Sequence, residues 1–302
     1  MDKRLIIDNS SRVIVERKSL KSLISKNELV RLFGSNNAII ATLVEEAGFE
    51  GGWLSSFEAH ASCRLPDADL LTVSDYSNMC SKIFDRVSIP ILMDGDAGGG
   101  SPINTIRMVR EYEKNGAFGI CIEDNKYPKR CSFYSGVKRE LEDPRYHAMK
   151  IKAAKDNVIK DDFMIVARTE SLIVGNSIKD AIDRSNIYID HGADAILIHH
   201  KGDTPDKIFE FSDKFNHKVP LICVPTSYNQ VTEKQLIDNG FSVVIYANYG
   251  IRAAVKAVSE ILKTVAESGT LSSANDRVVS MEEIFRLICV DELKKNEVKY
   301  SI

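Results

Sequence analysis

Asp94 and Asp96 stand two residues apart where the apolar run Ile89-Pro90-Ile91-Leu92-Met93 gives way to Gly98-Gly99-Gly100. Hard carboxylate oxygens at such a break, with room left for water, suit Mg2+ better than a thiolate metal. The same pair could instead cap the next helix. Other apolar runs also end in polar groups: Trp53-Leu54-Ser55-Ser56, Glu123-Asp124, Arg168-Thr169-Glu170, His199-His200-Lys201, Pro225-Thr226-Ser227-Tyr228 and Asn248. Asp94, Asp96 and Glu123 could hold Mg2+ directly or through its waters, and the planar fork of Arg168 could bind an anionic substrate. Taken singly, Glu123 could be a salt-bridge partner of Arg168, and His199 a satisfied core histidine. Their joint position at the ends of apolar runs favours a site.

Between Glu123-Asp124 and the next helical pattern lies Asn125 to Gly136, a long basic loop ending in glycine. It has the composition of a lid, whose cations Lys126, Lys129 and Arg130 could neutralise a doubly charged substrate and whose closure would exclude water. A solvated basic loop is the plainer alternative. Cys131, next to Lys129 and Arg130, is expected to have a lowered thiol pKa suited to general acid or base work.

The elements that must position these groups alternate regularly. Short apolar runs occur at Gly51 to Ser55, Ile89 to Asp94, Phe118 to Ile122, Phe163 to Ala167, Ala193 to Ile198, Val219 to Val224 and Phe241 to Ala247, with an earlier one near Leu32 to Ile40. Amphipathic segments such as Ile103 to Asn115, Ile178 to His191 and Thr232 to Asn239 separate them, each long enough for a parallel crossover. Gly48, Gly116, Gly192 and Gly240 follow helical patterns as left-handed stops. Eight such repeats predict an α/β fold of the (β/α)8 TIM-barrel type, and no GxGxxG opens the first unit as a dinucleotide site would require.

With 302 residues, 44% hydrophobic and 27% charged, the chain can bury one large core, and we read residues 1–302 as a single barrel domain with a tail. Glu267 to Asp276 reads as a polar linker and Ser280 to Leu293 as a further amphipathic helix, so 267–302 forms a C-terminal extension suited to a subunit interface or to packing on its own barrel. The net charge of −3 leaves no basic footprint for nucleic acid. No apolar run of about 18 residues is present, and Met1-Asp2-Lys3-Arg4 lacks a signal-peptide apolar region, so no membrane role and a cytoplasmic location are expected. Six cysteines without CxxC spacing read as reduced, mostly buried thiols.

The ordered set of these segments resembles the phosphoenolpyruvate mutase/isocitrate lyase superfamily, closest to its phosphoenolpyruvate mutase branch. The resemblance runs from Glu46-Ala47-Gly48-Phe49 and Trp53 through Asp94-Gly95-Asp96, Ile122-Glu123-Asp124, Val166-Ala167-Arg168 and Ala193 to His199. It continues in Val224-Pro225-Thr226, Ala247-Asn248 with Ile251-Arg252-Ala253, and the tail Met281 to Leu287 with Asp291-Glu292-Leu293. It implies a (β/α)8 barrel whose last helix is exchanged between subunits of a dimer or tetramer, binding Mg2+ and a small 2-oxo or enol acid anion. Mutases of that branch interconvert phosphoenolpyruvate and phosphonopyruvate. Carried onto this chain, Asp94 would ligate Mg2+, with Asp96 and Glu123 holding its waters. Ser55 and the backbone at Ser56 and Phe57 would grip the substrate carboxylate and Trp53 would line the pocket. Lys129, Arg168 and His199 would stabilise the phosphoryl group, with Asp67, Ser132 and Asn248 as further site residues.

The chain departs from the branch pattern in its lid. Glu-Asp-Lys-x-x-x-Lys-x-Asn-Ser becomes Glu123-Asp124-Asn125 followed by Lys129, Cys131 and Ser132; the glycines flanking the pocket serine are Leu54 and Ser56; and Asp-Thr-Gly-Tyr-Gly becomes Asp96 to Gly100. Lys129-Arg130-Cys131 resembles the lid of the carbon–carbon bond lyases, in which the cysteine is the acid or base, although their Gly-His is Ser132-Phe133 here. Two activities are therefore expected to compete: phosphoryl migration through pyruvate enolate, and C–C cleavage with Cys131 exchanging a proton. Phosphonopyruvate hydrolysis is a variant of the first.

Overall fold

The computed structural model describes residues 5–7, 13–15, 17–216 and 218–301. Eight parallel strands close into a barrel in chain order: β1 (Val30–Gly34), β2 (Gly51–Leu54), β3 (Ile91–Asp94), β4 (Gly119–Glu123), β5 (Met164–Thr169), β6 (Ala195–Ile198), β7 (Leu221–Cys223) and β8 (Phe241–Tyr246), which returns to pair with β1. A short antiparallel pair, Leu5–Ile7 with Val13–Val15, precedes the barrel. The expected TIM barrel is the observed fold. One strand differs from its expected place: the first lies at Val30–Gly34, and Ala38–Glu46 is a helix whose first turn is capped by Asn37 Oδ1 accepting the Ile40 N–H. The run Leu32 to Ile40 straddles both elements, and Asn37 is the boundary that its apolar content conceals.

Most strands are buried on both faces, which is why they read as nearly unbroken apolar runs, whereas β1 alternates buried with half-exposed residues. One set of side chains, including Leu32, Trp53, Leu92, Cys121, Val166, Leu197, Ile222 and Ile245, fills the barrel interior. The alternate set, including Met93, Ile120, Ile122, Ile165, Ile196, Cys223 and Val244, packs in the larger core with helical residues such as Tyr112, Ile151, Tyr188 and Phe211. Each fully buried aliphatic side chain contributes about 1.5–3 kcal/mol. Helices Pro102–Lys114, Ile178–Asp190 and Glu233–Asp238 coincide with the expected amphipathic segments to within a residue at each end. Gly116 and Gly192 take φ of 95° and 101°, the left-handed stop that a side chain would oppose.

The chain divides into two compact units, Met1–Asn248 and Tyr249–Ile302. In the second, helix Tyr249–Ser268 has no buried residue, a 3-10 segment Leu271–Arg277 occupies the expected linker, and helices Met281–Leu287 and Val290–Tyr300 follow. The single helix expected at Ser280 to Leu293 is therefore broken, because Cys289 adopts φ of 59° and starts a new helix. No helix among the described residues is long and apolar enough to cross a membrane.

Candidate active site

The twofold side-chain alternation of a strand carries each interior residue to a second inward position at the barrel mouth. Leu92 is thus followed by Asp94, Cys121 by Glu123, Val166 by Arg168, Leu197 by His199, Trp53 by Ser55 and Ile245 by Ala247. These groups line one small pocket, together with Ser56, Phe57, Asp67, Lys129, Cys131, Ser132 and Asn248. Every site residue named from the sequence is on this wall except Asp96. That carboxylate is buried behind it, with Oδ1 2.8 Å from Lys129 Nζ and Oδ2 accepting from Tyr76 OH at 3.3 Å.

The other parity points outward and is structural. Asp124 accepts from Thr169 Oγ1 at 3.0 Å, the Glu170 N–H at 2.8 Å and Tyr188 OH at 2.8 Å, and so ties β4 and β5 to helix Ile178–Asp190. His200 turns away from the pocket and stacks on Tyr228.

One side of the site is acidic. Asp94 Oδ2 accepts from both the N–H (3.2 Å) and Oγ (3.0 Å) of Ser56, and Oδ1 accepts from the Asp96 N–H at 3.2 Å. Burial and the neighbouring Asp96 push the Asp94 carboxyl up, and burial pushes Glu123 to about 8 against the opposing pull of Arg168. Burial also works against Asp96, yet Lys129 holds it below the usual range. Asp94 and Asp96 do not cap the next helix, which is capped by Ser101.

The other side is cationic and is organised by Glu170. This fully buried carboxylate accepts from Arg168 Nε at 2.6 Å and Ser132 Oγ at 2.6 Å, and lies 2.7 Å from His199 Nδ1. Arg168 Nη2 reaches Glu123 at 3.3 Å, so the simple salt bridge weighed from the sequence is present, but within a larger network. Burial lowers the His199 pKa despite Glu170, which favours a neutral ring. Sequence reasoning placed Glu170 at a strand end without a role; the signal available was an acid two residues after Arg168, and so on the same face of the strand.

The basic loop is latched down. Lys129 is buried, and its Nζ donates to Ser56 Oγ at 2.9 Å and Asp67 Oδ2 at 2.9 Å besides pairing with Asp96. Burial opposes its charge, but Asp96 and Asp67 hold the ammonium well above its ordinary pKa. The Lys129 N–H bonds Asp69, the Cys131 N–H bonds Asp67 O, and Arg139 donates to Cys131 O and to Tyr134 O. Lys126 faces outward and pairs with Glu140, whereas Arg130 is half-buried at the pocket edge, its Nη1 donating to Pro128 O and Lys129 O. The expected low thiol pKa of Cys131 is corrected: burial, helped by the nearby Asp67 carboxylate, pushes it up and outweighs the pull of Lys129 and Arg168. Ser55 Oγ caps its helix by accepting the Glu58 N–H at 3.4 Å, and the Ser56 N–H is committed to Asp94.

An acidic side and a cationic side thus face each other across a small pocket under a latched loop. The family model described as phosphoenolpyruvate phosphomutase matches residues 20–266. The chain belongs to that family. It is therefore an enzyme of this superfamily, 35% identical over 281 residues to phosphoenolpyruvate phosphomutase of Tetrahymena pyriformis, with 93% of this chain and 94% of that one covered. The solved phosphoenolpyruvate phosphomutase of Streptomyces platensis subsp. rosaceus superposes with a TM-score of 0.92 at 36% identity, over 94% of this chain and 98% of that one. A phosphonopyruvate hydrolase solved with oxalate and Mg++ superposes at 0.88, also at 36% identity, over 93% and 97%.

Among the described residues no three His, Cys, Asp or Glu side chains form a ready-made metal cage. The all-oxygen donor set still fits Mg2+ held by few protein ligands, since Asp94 and Glu123 are buried carboxyls that both line the pocket.

Proposed function

We propose that the pocket performs Mg2+-dependent P–C bond chemistry on phosphonopyruvate and phosphoenolpyruvate. Asp94 would ligate the ion, with Glu123 holding its waters, while Asp96, expected from the sequence to hold waters too, is committed to Lys129 and Tyr76 behind the wall and would support Asp94 through its backbone N–H. When bound, Mg2+ would supply positive charge to the oxygens of a pyruvate-like anion. Arg168, His199 and Ser132 face the region opposite the acids, where the guanidinium can offset the charge of the phosphoryl group in flight and the neutral imidazole and the hydroxyl can hydrogen-bond to it. As the P–C bond breaks, its electron pair stays on carbon as an enolate; the phosphoryl group then passes to the enolate oxygen, giving phosphoenolpyruvate.

The observation that carries this reading is the Lys129 latch. Holding the loop closed keeps bulk water from phosphorus, which favours return of the phosphoryl group to the enolate over hydrolysis. The test is a 31P NMR time course with phosphonopyruvate and Mg2+. Phosphoenolpyruvate appearing first supports a mutase, phosphate formed directly supports a hydrolase, and an unchanged phosphonate signal overturns both.

A second reading rests on Cys131, a pocket-lining thiol that stays protonated and could donate a proton to an enolate formed by C–C cleavage. Cysteine-dependent cleavage of malate- or citrate-like diacids would support it.

We also infer a homo-oligomer with its last barrel helix exchanged between subunits, since Val255, Val258 and Leu262 form an exposed apolar stripe on helix Tyr249–Ser268. Light scattering reading a monomer would remove this inference. The net charge of −3 and the pocket's mixed charge fit a small anion, and neither nucleic acid nor membrane, as the partner, and we infer a cytoplasmic enzyme.

A further inference from the structure

Glu58 has no place in the mechanism above, yet its setting is unusual. It follows Ser56 and Phe57 in the helix Ser56–Ser62 and is completely buried directly behind the wall that Phe57 and Asn248 present to the pocket. Oε1 accepts the Asn248 backbone N–H at 2.7 Å, and Oε2 has no hydrogen-bond partner among the described residues. Asn248 itself is held at φ of 72°, and its side-chain Oδ1 is likewise buried without a partner. Space for the carboxyl exists because residue 34 is glycine: a Cβ there would lie 1.9 Å from Glu58 Oε1.

Among the described residues no cation acts on this carboxyl. On its own helix, His60 is committed to Ser56 O through Nδ1 and to the Leu70 and Leu71 N–H groups through Nε2. β1 presents only Gly34, and on β8 Tyr246 is turned to Glu233. An ionised carboxyl so placed is stabilised by one backbone N–H alone, whereas a buried charge ordinarily has a partner.

We propose that Glu58 is a positioning residue that holds Asn248 and takes up a proton when an anion occupies the pocket, coupling anion binding to protonation. This rests on the pocket being the anion site argued above. Burial places the group at about 7 with the Asn248 N–H as the only opposing influence, so a second negative charge on the far side of Asn248 is enough to drive protonation near neutrality. Proton uptake removes the like-charge repulsion and leaves a neutral carboxyl able to donate from its unpartnered oxygen.

The test is calorimetric titration of the Mg2+-loaded protein with oxalate at pH 7 and 8, in buffers of different ionisation enthalpy, for wild type and Glu58→Gln. Wild type is expected to take up roughly half a proton at pH 7 and more at pH 8 through this group. Glu58→Gln is expected to lose that increment while still binding oxalate. An infrared difference spectrum of wild type, with and without oxalate, should gain a protonated-carboxyl stretch, and this readout stands if the variant does not fold. Oxalate binding with equal proton uptake in both proteins, or without that stretch, overturns the role of Glu58 alone. No oxalate binding at all removes the anion pocket and both proposals together.

Discussion

Lys129 Nζ lies 2.8 Å from Asp96 Oδ1, so a residue of the loop after β4 is clasped by a carboxylate from the end of β3. With Asp67 completing the clasp, the loop and the barrel mouth share one buried charge network. Lys129 is thereby a structural latch as well as a cation near the pocket.

Lys129→Met is expected to leave Asp67 and Asp96 facing each other without their cation. Removing one partner of a buried pair costs about 3–5 kcal/mol, and losing a positioned donor costs about 10²-fold or more in turnover. Limited proteolysis should cut the loop between Asn125 and Gly136 faster than in wild type; an unchanged cutting rate and turnover would remove the latch.

Asp94→Ala should abolish Mg2+-dependent activity and Mg2+ binding measured by calorimetry. Retained binding with wild-type turnover would move the metal elsewhere.

Cys131 should react with iodoacetamide at pH 7 far more slowly than the exposed Cys63 and Cys289, since it is buried and its pKa is raised. For phosphonate chemistry, Cys131→Ser is expected to cost less than about tenfold; a loss of about 10²-fold or more would mark a general acid.

Glu170→Gln removes the charge that positions Arg168, Ser132 and His199 at once. We expect a fall in kcat/KM of about 10²-fold with the barrel still folded, read by kinetics beside circular dichroism. A change confined to stability would show that Glu170 is only a packing residue.

The metal-free protein should lose thermal stability as pH rises from 7 to 8, above the range in which His147, His199 and His200, whose pKa values burial lowers, contribute the opposite slope. Glu123 is raised to about 8, and Glu58 and Asp69 to about 7, all chiefly by burial, so across this window the folded state binds more protons than the unfolded one. Ionising them in the folded state is therefore destabilising. Asp96 and Glu170, held low by their cations, add stability above the ordinary carboxylate range that is lost only in acid, so they leave this window flat. Scanning calorimetry should show a falling Tm, with a smaller slope for Glu58→Gln; a Tm rising with pH would contradict these assignments.

The sequence by itself determined the barrel and most of the pocket wall. Strands buried on both faces must be apolar almost throughout, so a polar residue at a run's end is conspicuous, and period-two alternation tells Glu123 and Arg168 from Asp124 and Thr169. Only the tertiary structure decided what those groups touch. Asp67 and Lys129 are 62 residues apart in sequence, and their contact depends on how two loops fold over the barrel mouth. The thiol of Cys131 turned out to be raised because sequence adjacency to two cations says nothing of burial or of the Asp67 carboxylate nearby. Glu58 was illegible for the same reason: an acid in the first turn of a helix reads as an exposed charge until Gly34 and Asn248, brought in from distant strands, close over it.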